Sequence, residues 1–185
     1  MDDIKTSVCP VERAGSLDNR ARRWFQDPRR ILGPYIREGM SVLDFGCGPG
    51  FFTLDIARMV GPNGRVVVAD LQEGMLQKLQ LKLQGGDLGP RVTLLHSREN
   101  DLEVSPPVDF VLAFYVVHEV PDQSAFFAGM WAALNPQGQM LVVEPPFHVS
   151  RRKFEAMLEL ARREGFAVGD RPRMLLDKAV LLRKT

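Results

Sequence analysis

Val42-Leu43-Asp44-Phe45-Gly46-Cys47-Gly48-Pro49-Gly50-Phe51-Phe52-Thr53 reads as a strand, a glycine turn and the start of a helix. Val42, Leu43 and Phe45 suit a buried strand. Gly46, Gly48 and Gly50 let the backbone turn sharply and approach a ligand, because no Cβ stands in the way. Leu54, Ile56, Ala57 and Val60 then form an apolar helix face that returns to the sheet. A ligand is expected at the carboxyl end of this first strand, against bare backbone N–H groups.

The spacing selects among ligands. A dinucleotide fingerprint needs G-x-G-x-x-G. Here it is G-x-G-x-G, and position 51 is Phe. Asp44 precedes the turn, where a carboxylate would repel a phosphate but attract an ammonium or sulfonium group. The stretch resembles motif I of the class I S-adenosylmethionine-dependent methyltransferases, V-L-D-x-G-C-G-x-G. That resemblance implies an α/β fold with a Rossmann-like open seven-stranded sheet, mostly parallel with the last strand antiparallel, and helices on both faces. It implies S-adenosylmethionine as cofactor, held around Asp44, Phe45, Gly46, Cys47, Gly48, Gly50, Phe51 and Phe52.

Downstream, Arg65–Asp70 reads as a second buried strand ending in a carboxylate. Asp70 lies 20 residues beyond Gly50, the distance at which an acidic side chain accepts from ribose hydroxyls. Leu71 would pack on the adenine. Asp70 also suits a helix N-cap. Met75, Leu76, Leu79 and Leu83 recur at helical period and read as core. The third strand covers 92–95. In the resembled family the following loop carries an adenine-binding Asp. Here Ser97 and Arg98 occupy that position and the next, so a hydroxyl replaces the carboxylate, and Arg98 either stacks on the ring or points to solvent.

The fourth strand, 108–114, is followed by Tyr115-Val116-Val117-His118-Glu119-Val120-Pro121-Asp122. This run resembles the x-x-H-x-V-x-D segment of the quinone-biosynthesis-type ("type 11") small-molecule methyltransferases. The resemblance puts the backbone of Phe114 and Tyr115 against the methionine portion of the cofactor. His118, Glu119 and Tyr115 are the ranked candidates for catalytic groups. His118 equally suits a structural role in the loop. His118-Glu119 does not open an H-E-x-x-H helix, and the histidines and two distant cysteines have no metal-ligand spacing. No metal is expected.

A helix over 122–134 would bury Phe127, Met130, Trp131 and Leu134. A turn at 135–138 and a fifth strand at 139–144 follow. Glu144-Pro145-Pro146-Phe147 looks like the N-P-P-Y-type motif of amide- and base-nitrogen methyltransferases. It follows the fifth strand instead of the fourth and begins with Glu, which argues against that chemistry. Glu144 and His148 are expected at the mouth of the substrate pocket. A helix over 151–164 turns Phe154, Met157, Leu158 and Ala161 inward. The last two strands, near 165–168 and 179–183, are joined too briefly for a crossover helix and are expected to be antiparallel.

At 185 residues, 45% hydrophobic and 25% charged, the chain suits one domain. Residues 1–40 are expected as a helical lid segment and 41–185 as the S-adenosylmethionine-binding domain. Within the lid, one short helix would put Leu17, Ala21, Trp24 and Phe25 on one face, and a second would run over 29–35. Arg13, Arg20, Arg22, Arg23, Arg29 and Arg30 form either a solvated face or, through Arg20 or Arg23, a contact to the cofactor carboxylate or an anionic substrate. The net charge of +1 gives no global pull toward nucleic acid or a membrane. No apolar run spans a bilayer, the start is unlike a signal peptide, and two distant cysteines suit a reducing compartment, so a cytoplasmic location is expected. The expected partner is a small-molecule methyl acceptor. A nucleic-acid substrate and a non-catalytic cofactor-binding subunit are the alternatives. Acceptor atom and oligomeric state are not encoded in any readable motif.

Overall fold

The computed structural model describes residues 20–97 and 104–185. The chain runs α1 (Arg20–Phe25), α2 (Pro28–Leu32), β1 (Ser41–Phe45), α3 (Thr53–Met59), β2 (Arg65–Asp70), α4 (Glu73–Leu83), β3 (Val92–His96), β4 (Val108–Phe114), α5 (Gln123–Ala133), β5 (Leu134–Glu144), α6 (Arg151–Arg163), β6 (Phe166–Val168) and β7 (Lys178–Lys184). Among the described residues the strands form one seven-stranded sheet in the order β3-β2-β1-β4-β5-β7-β6. The pairs from β3 to β5 are parallel, and β7 runs antiparallel to both β5 and β6. The expected architecture is therefore present. The order reverses beside β1 and β4, and this switch point is where a crevice opens at the carboxyl edge of such a sheet.

Alternation along the strands splits the core into two layers. Val42, Val66, Val68, Phe110, Leu112, Leu141 and Leu181 meet Leu32 of α2, Ile56 of α3 and Leu79 of α4. Leu43, Val67, Val111, Met140, Val142 and Val180 face the other way, onto Phe127 and Met130 of α5 and Phe154, Met157 and Leu158 of α6. Both faces are covered, which is why the parallel strands read as near-continuous apolar runs.

Three local expectations differ from the structure. Trp24 and Phe25 do not form a packing face: they are 84% and 62% exposed. Leu17 lies outside the described residues. Asp27, two residues after the end of α1, caps α2, accepting from the Arg29 amide at 2.9 Å with Pro28 at the first helical position. Leu134 belongs to β5, not to the preceding helix. It pairs with Val108, after which the register slips so that Phe110 faces Gln139. Gln137 takes a left-handed φ of 65° within the slip. Asp109 anchors it by accepting from Asn135 Nδ2 (2.7 Å) and the Ser41 amide (2.8 Å). Trp131 is only half-buried, and Phe126 takes the buried position instead.

The N-terminal segment is pinned to α3 by charge. Arg23 Nη1 lies 2.9 Å from the buried carboxylate of Asp55, and Arg58 lies 3.3 Å from it. Removing a fully buried partner costs about 3–5 kcal/mol. Both arginines are 40% or more exposed, so screening cuts that to about 1–2 kcal/mol for Asp55→Ala. A urea midpoint lowered at unchanged slope would show it.

Candidate functional site at the carboxyl edge of the sheet

The glycine turn after β1 differs from the expected bare-amide cradle. The Gly46 and Cys47 amides both donate to the Ala69 carbonyl (2.8 and 3.2 Å), the Gly48 amide donates to Asp70 Oδ2 (2.9 Å), and the Gly50 amide donates to the Cys47 carbonyl (3.0 Å). These donors are spent inside the protein, which suits a ligand without phosphates. All three glycines have positive φ. A Cβ on Gly46 would strike Val116, and one on Gly50 would strike Leu79, whereas at Gly48 nothing among the described residues lies within 4 Å. Only Gly48 therefore offers its bare face to a ligand.

Asp44 is 2% exposed, and its carboxylate accepts from Thr53 Oγ1 at 2.6 Å. Burial raises its pKa to about 7, the Thr53 bond opposing and the charge of Asp70 adding to the rise. A carboxylate so placed is a site for an incoming cation. Thr53 was not singled out by the motif, although it stands in the quoted stretch. Cys47 is buried, and burial with the nearby charges of Asp44 and Asp70 pushes its thiol pKa well up. It stays protonated and is no nucleophile.

Asp70 does not cap α4, whose N-cap is Gln72. It accepts instead from the Gln72 amide (2.9 Å) and the Gly48 amide, tying the end of β2 to the glycine turn. Burial raises its pKa and these two bonds oppose the rise. Leu71, beside it, is 39% exposed. The hydroxyl of Ser97 is buried and has no hydrogen-bond partner among the described residues. Arg98 lies outside the described residues.

Across the crevice, an aromatic chain runs from Phe51 to Phe52, Phe114 and Tyr115, with ring centroids 4.4–4.9 Å apart. Phe45, half-buried, leaves this row and meets Phe126 on the opposite face. Beyond Tyr115, His118 Nδ1 lies 2.5 Å from Glu144 Oε2, and the His118 amide donates to Glu144 Oε1 at 3.3 Å. Glu144 is fully buried. It is the anchor of His118 and does not line the pocket mouth. His148 is exposed, and its ring stacks parallel to His118 at 6.0 Å. Burial alone would lower the His118 pKa, but the hydrogen bond and charge of Glu144, aided by Glu119, raise it overall. Glu119 is half-buried, 4.0 Å from His118 Nε2, and burial raises its pKa. Among the described residues no group of His, Cys, Asp and Glu could hold a metal ion.

Arg23 does not face the crevice as a free cation. It holds Asp55 and lies over the Phe51 ring at 5.3 Å. Arg151, Arg152 and Lys153 are exposed at the start of α6, where Ser150 caps the helix.

A parallel sheet with a switch point, a glycine turn with its amides internally spent, and buried acids at the ends of β1 and β2 define a class in which a cation-bearing nucleoside fits and a dinucleotide does not. The methyltransferase-domain family model matches residues 42–138, and the chain belongs to that family. It is 31% identical over 110 residues to the ubiquinone/menaquinone biosynthesis C-methyltransferase UbiE of Pasteurella multocida, covering 59% of this chain and 41% of that protein. It is 28% identical over 125 residues to the demethylmenaquinone methyltransferase of Listeria welshimeri, covering 66% of this chain and 51% of that protein. The chain spans about half the length of the curated relatives it matches. The fold matches a SAM dependent methyltransferase from Aquifex aeolicus with a TM-score of 0.84 and 26% identity, covering 96% of this chain and all of that one. No helix among the described residues is long and apolar enough to cross a membrane.

Proposed function

We propose that this protein transfers the methyl group of S-adenosylmethionine to a small-molecule acceptor of the quinone-biosynthesis kind named in its relatives, taken in its reduced, hydroxyl-bearing form. The carrying observation is the pair of buried carboxylates, Asp44 at the end of β1 and Asp70 at the end of β2, the second accepting from the amide of Gly48. Bound S-adenosylmethionine supplies an electrophilic methyl on a sulfonium.

Asp44 balances the cationic end of the donor. Asp70 accepts from the ribose hydroxyls, and Leu71 covers the adenine. Ser97 uses its orphaned hydroxyl on the adenine edge. Phe114 and Tyr115 flank the methionine portion with backbone. Residues 23–40 of the N-terminal segment cover the donor, excluding water and aligning the displacement. His118, oriented through Nδ1 by Glu144, presents Nε2 as the base that takes the acceptor hydroxyl proton, which makes the acceptor more nucleophilic. Glu119 stands beside Nε2 and stabilises the imidazolium formed. The reaction is assigned to the cytoplasm.

Two measurements test the reading. Calorimetry should give binding of S-adenosylmethionine and none of NAD. Incubation with labelled donor and short-chain demethylmenaquinol should give labelled product, and donor binding without transfer would overturn the acceptor class. Ser97→Ala separates the adenine role from packing. Loss of one net hydrogen bond should weaken donor binding about 3- to 10-fold, while the melting temperature of the ligand-free protein stays level or rises, because a buried unpaired hydroxyl is removed.

A further inference from the structure

Asp177 belongs to no motif and precedes β7, yet its carboxylate reaches the end of β4. Tyr115 has a φ of 61°, a left-handed backbone that residues with a Cβ avoid. Such an outlier persists only where its surroundings over-determine it. Here the Tyr115 amide donates to the Val143 carbonyl at 2.8 Å. Its hydroxyl donates to Asp177 Oδ1 at 2.5 Å. Gln26, between α1 and α2, donates to the phenol oxygen at 2.6 Å and to Asp177 Oδ2 at 3.3 Å. The next residue, Val116, fills the space where a Gly46 side chain would stand: its Cγ2 would lie 2.7 Å from a Cβ there. The phenol, the left-handed backbone and the glycine turn are therefore mechanically continuous.

We propose that Asp177 is a positioning residue for the donor site. Through the Tyr115 hydroxyl it holds Tyr115 in its left-handed conformation and keeps Val116 seated against Gly46. Gln26 completes the contact from the N-terminal segment. The proposal rests on donor binding beside the glycine turn and is independent of the acceptor.

The test uses the full chain with Asp177→Ala, Asp177→Asn, Tyr115→Phe and the Tyr115→Phe/Asp177→Ala double variant. S-adenosylhomocysteine affinity is read by calorimetry and stability by thermal melting. Asp177→Ala and Tyr115→Phe should each weaken binding about tenfold, and the double variant no further, because both remove one contact. Asp177→Asn keeps an acceptor oxygen and should restore most of the affinity. Additive losses, or a lowered melting temperature with unchanged affinity in Asp177→Ala, would overturn the proposal. If Asp177→Ala does not fold, unchanged affinity in Tyr115→Phe overturns it alone. Wild-type protein that does not bind S-adenosylhomocysteine overturns the donor reading as well, whereas wild-type binding with all variants unchanged overturns only the role of Asp177.

Discussion

Glu144→Gln should move the rising limb of the pH–rate profile to lower pH and reduce the maximal rate about 100-fold, within the range that a positioned base contributes. A histidine acts as base only when neutral. In the unchanged protein the Glu144 hydrogen bond and charge hold the His118 pKa above its ordinary 6.5 against an opposing burial effect. With His118 as the proposed base, methyl transfer should therefore rise with pH through a value above 6.5. Glutamine keeps the geometry but removes the charge, so burial dominates and the limb falls below 6.5. Linkage has a definite sign here. A raised folded-state pKa contributes stability that is fully present below the unfolded value of 6.5 and is lost as pH rises through the raised value. The stability lost in Glu144→Gln should accordingly be larger at pH 6 than at pH 9. A limb that stays in place would show that the titrating group is not His118. His118→Ala should lose about 100- to 10,000-fold in rate with donor affinity retained.

Donor affinity should itself depend on pH, and Asp44→Asn should abolish that dependence. The Asp44 carboxyl, with a pKa of about 7 in the ligand-free protein, is mostly protonated at pH 6. A bound ammonium or sulfonium draws the pKa down, so binding below pH 7 releases a proton. S-adenosylmethionine should bind about tenfold more weakly at pH 6 than at pH 8, since one pH unit below a pKa corresponds to a tenfold excess of the protonated form. Calorimetry in buffers of different ionisation enthalpy would count the proton directly. The ligand-free protein should show the reverse trend. A raised Asp pKa gives stability that is present below its unfolded value near 4 and is lost as pH climbs through 7, so Asp44→Asn should be the more stable apoprotein at pH 8. Equal donor affinity at both pH values in the unchanged protein would remove Asp44 from the cation site.

The parts of this protein that were legible in its sequence are those set by short-range rules. Largely apolar runs of five to seven residues ending in Phe45, Asp70 and Phe114 mark parallel strands because both sheet faces are covered. The 3.6-residue stripes of α4 and α6 mark their buried sides. The glycine spacing and the acid 20 residues on bring two chain segments together at the ends of β1 and β2, because the βαβ unit has a fixed reach. Trp24 and Phe25 misled because a six-residue helix has too little length for a stripe to define a side. Glu144 misled because the end of β5 points its side chain inward, onto a loop that leaves β4.

By itself the sequence determined the strands, the glycine turn and the candidate base, since each depends on residues within one strand–turn–helix unit. Only the tertiary structure decided which polar groups are paired. It spent the turn amides on Ala69 and Asp70, gave Thr53 to Asp44 and Glu144 to His118, left Ser97 without a partner among the described residues, and joined Gln26 and Asp177 around Tyr115. Those pairings span up to 151 residues of chain. They form because burial makes an unpaired polar group costly, a condition that exists only once the strands lie side by side.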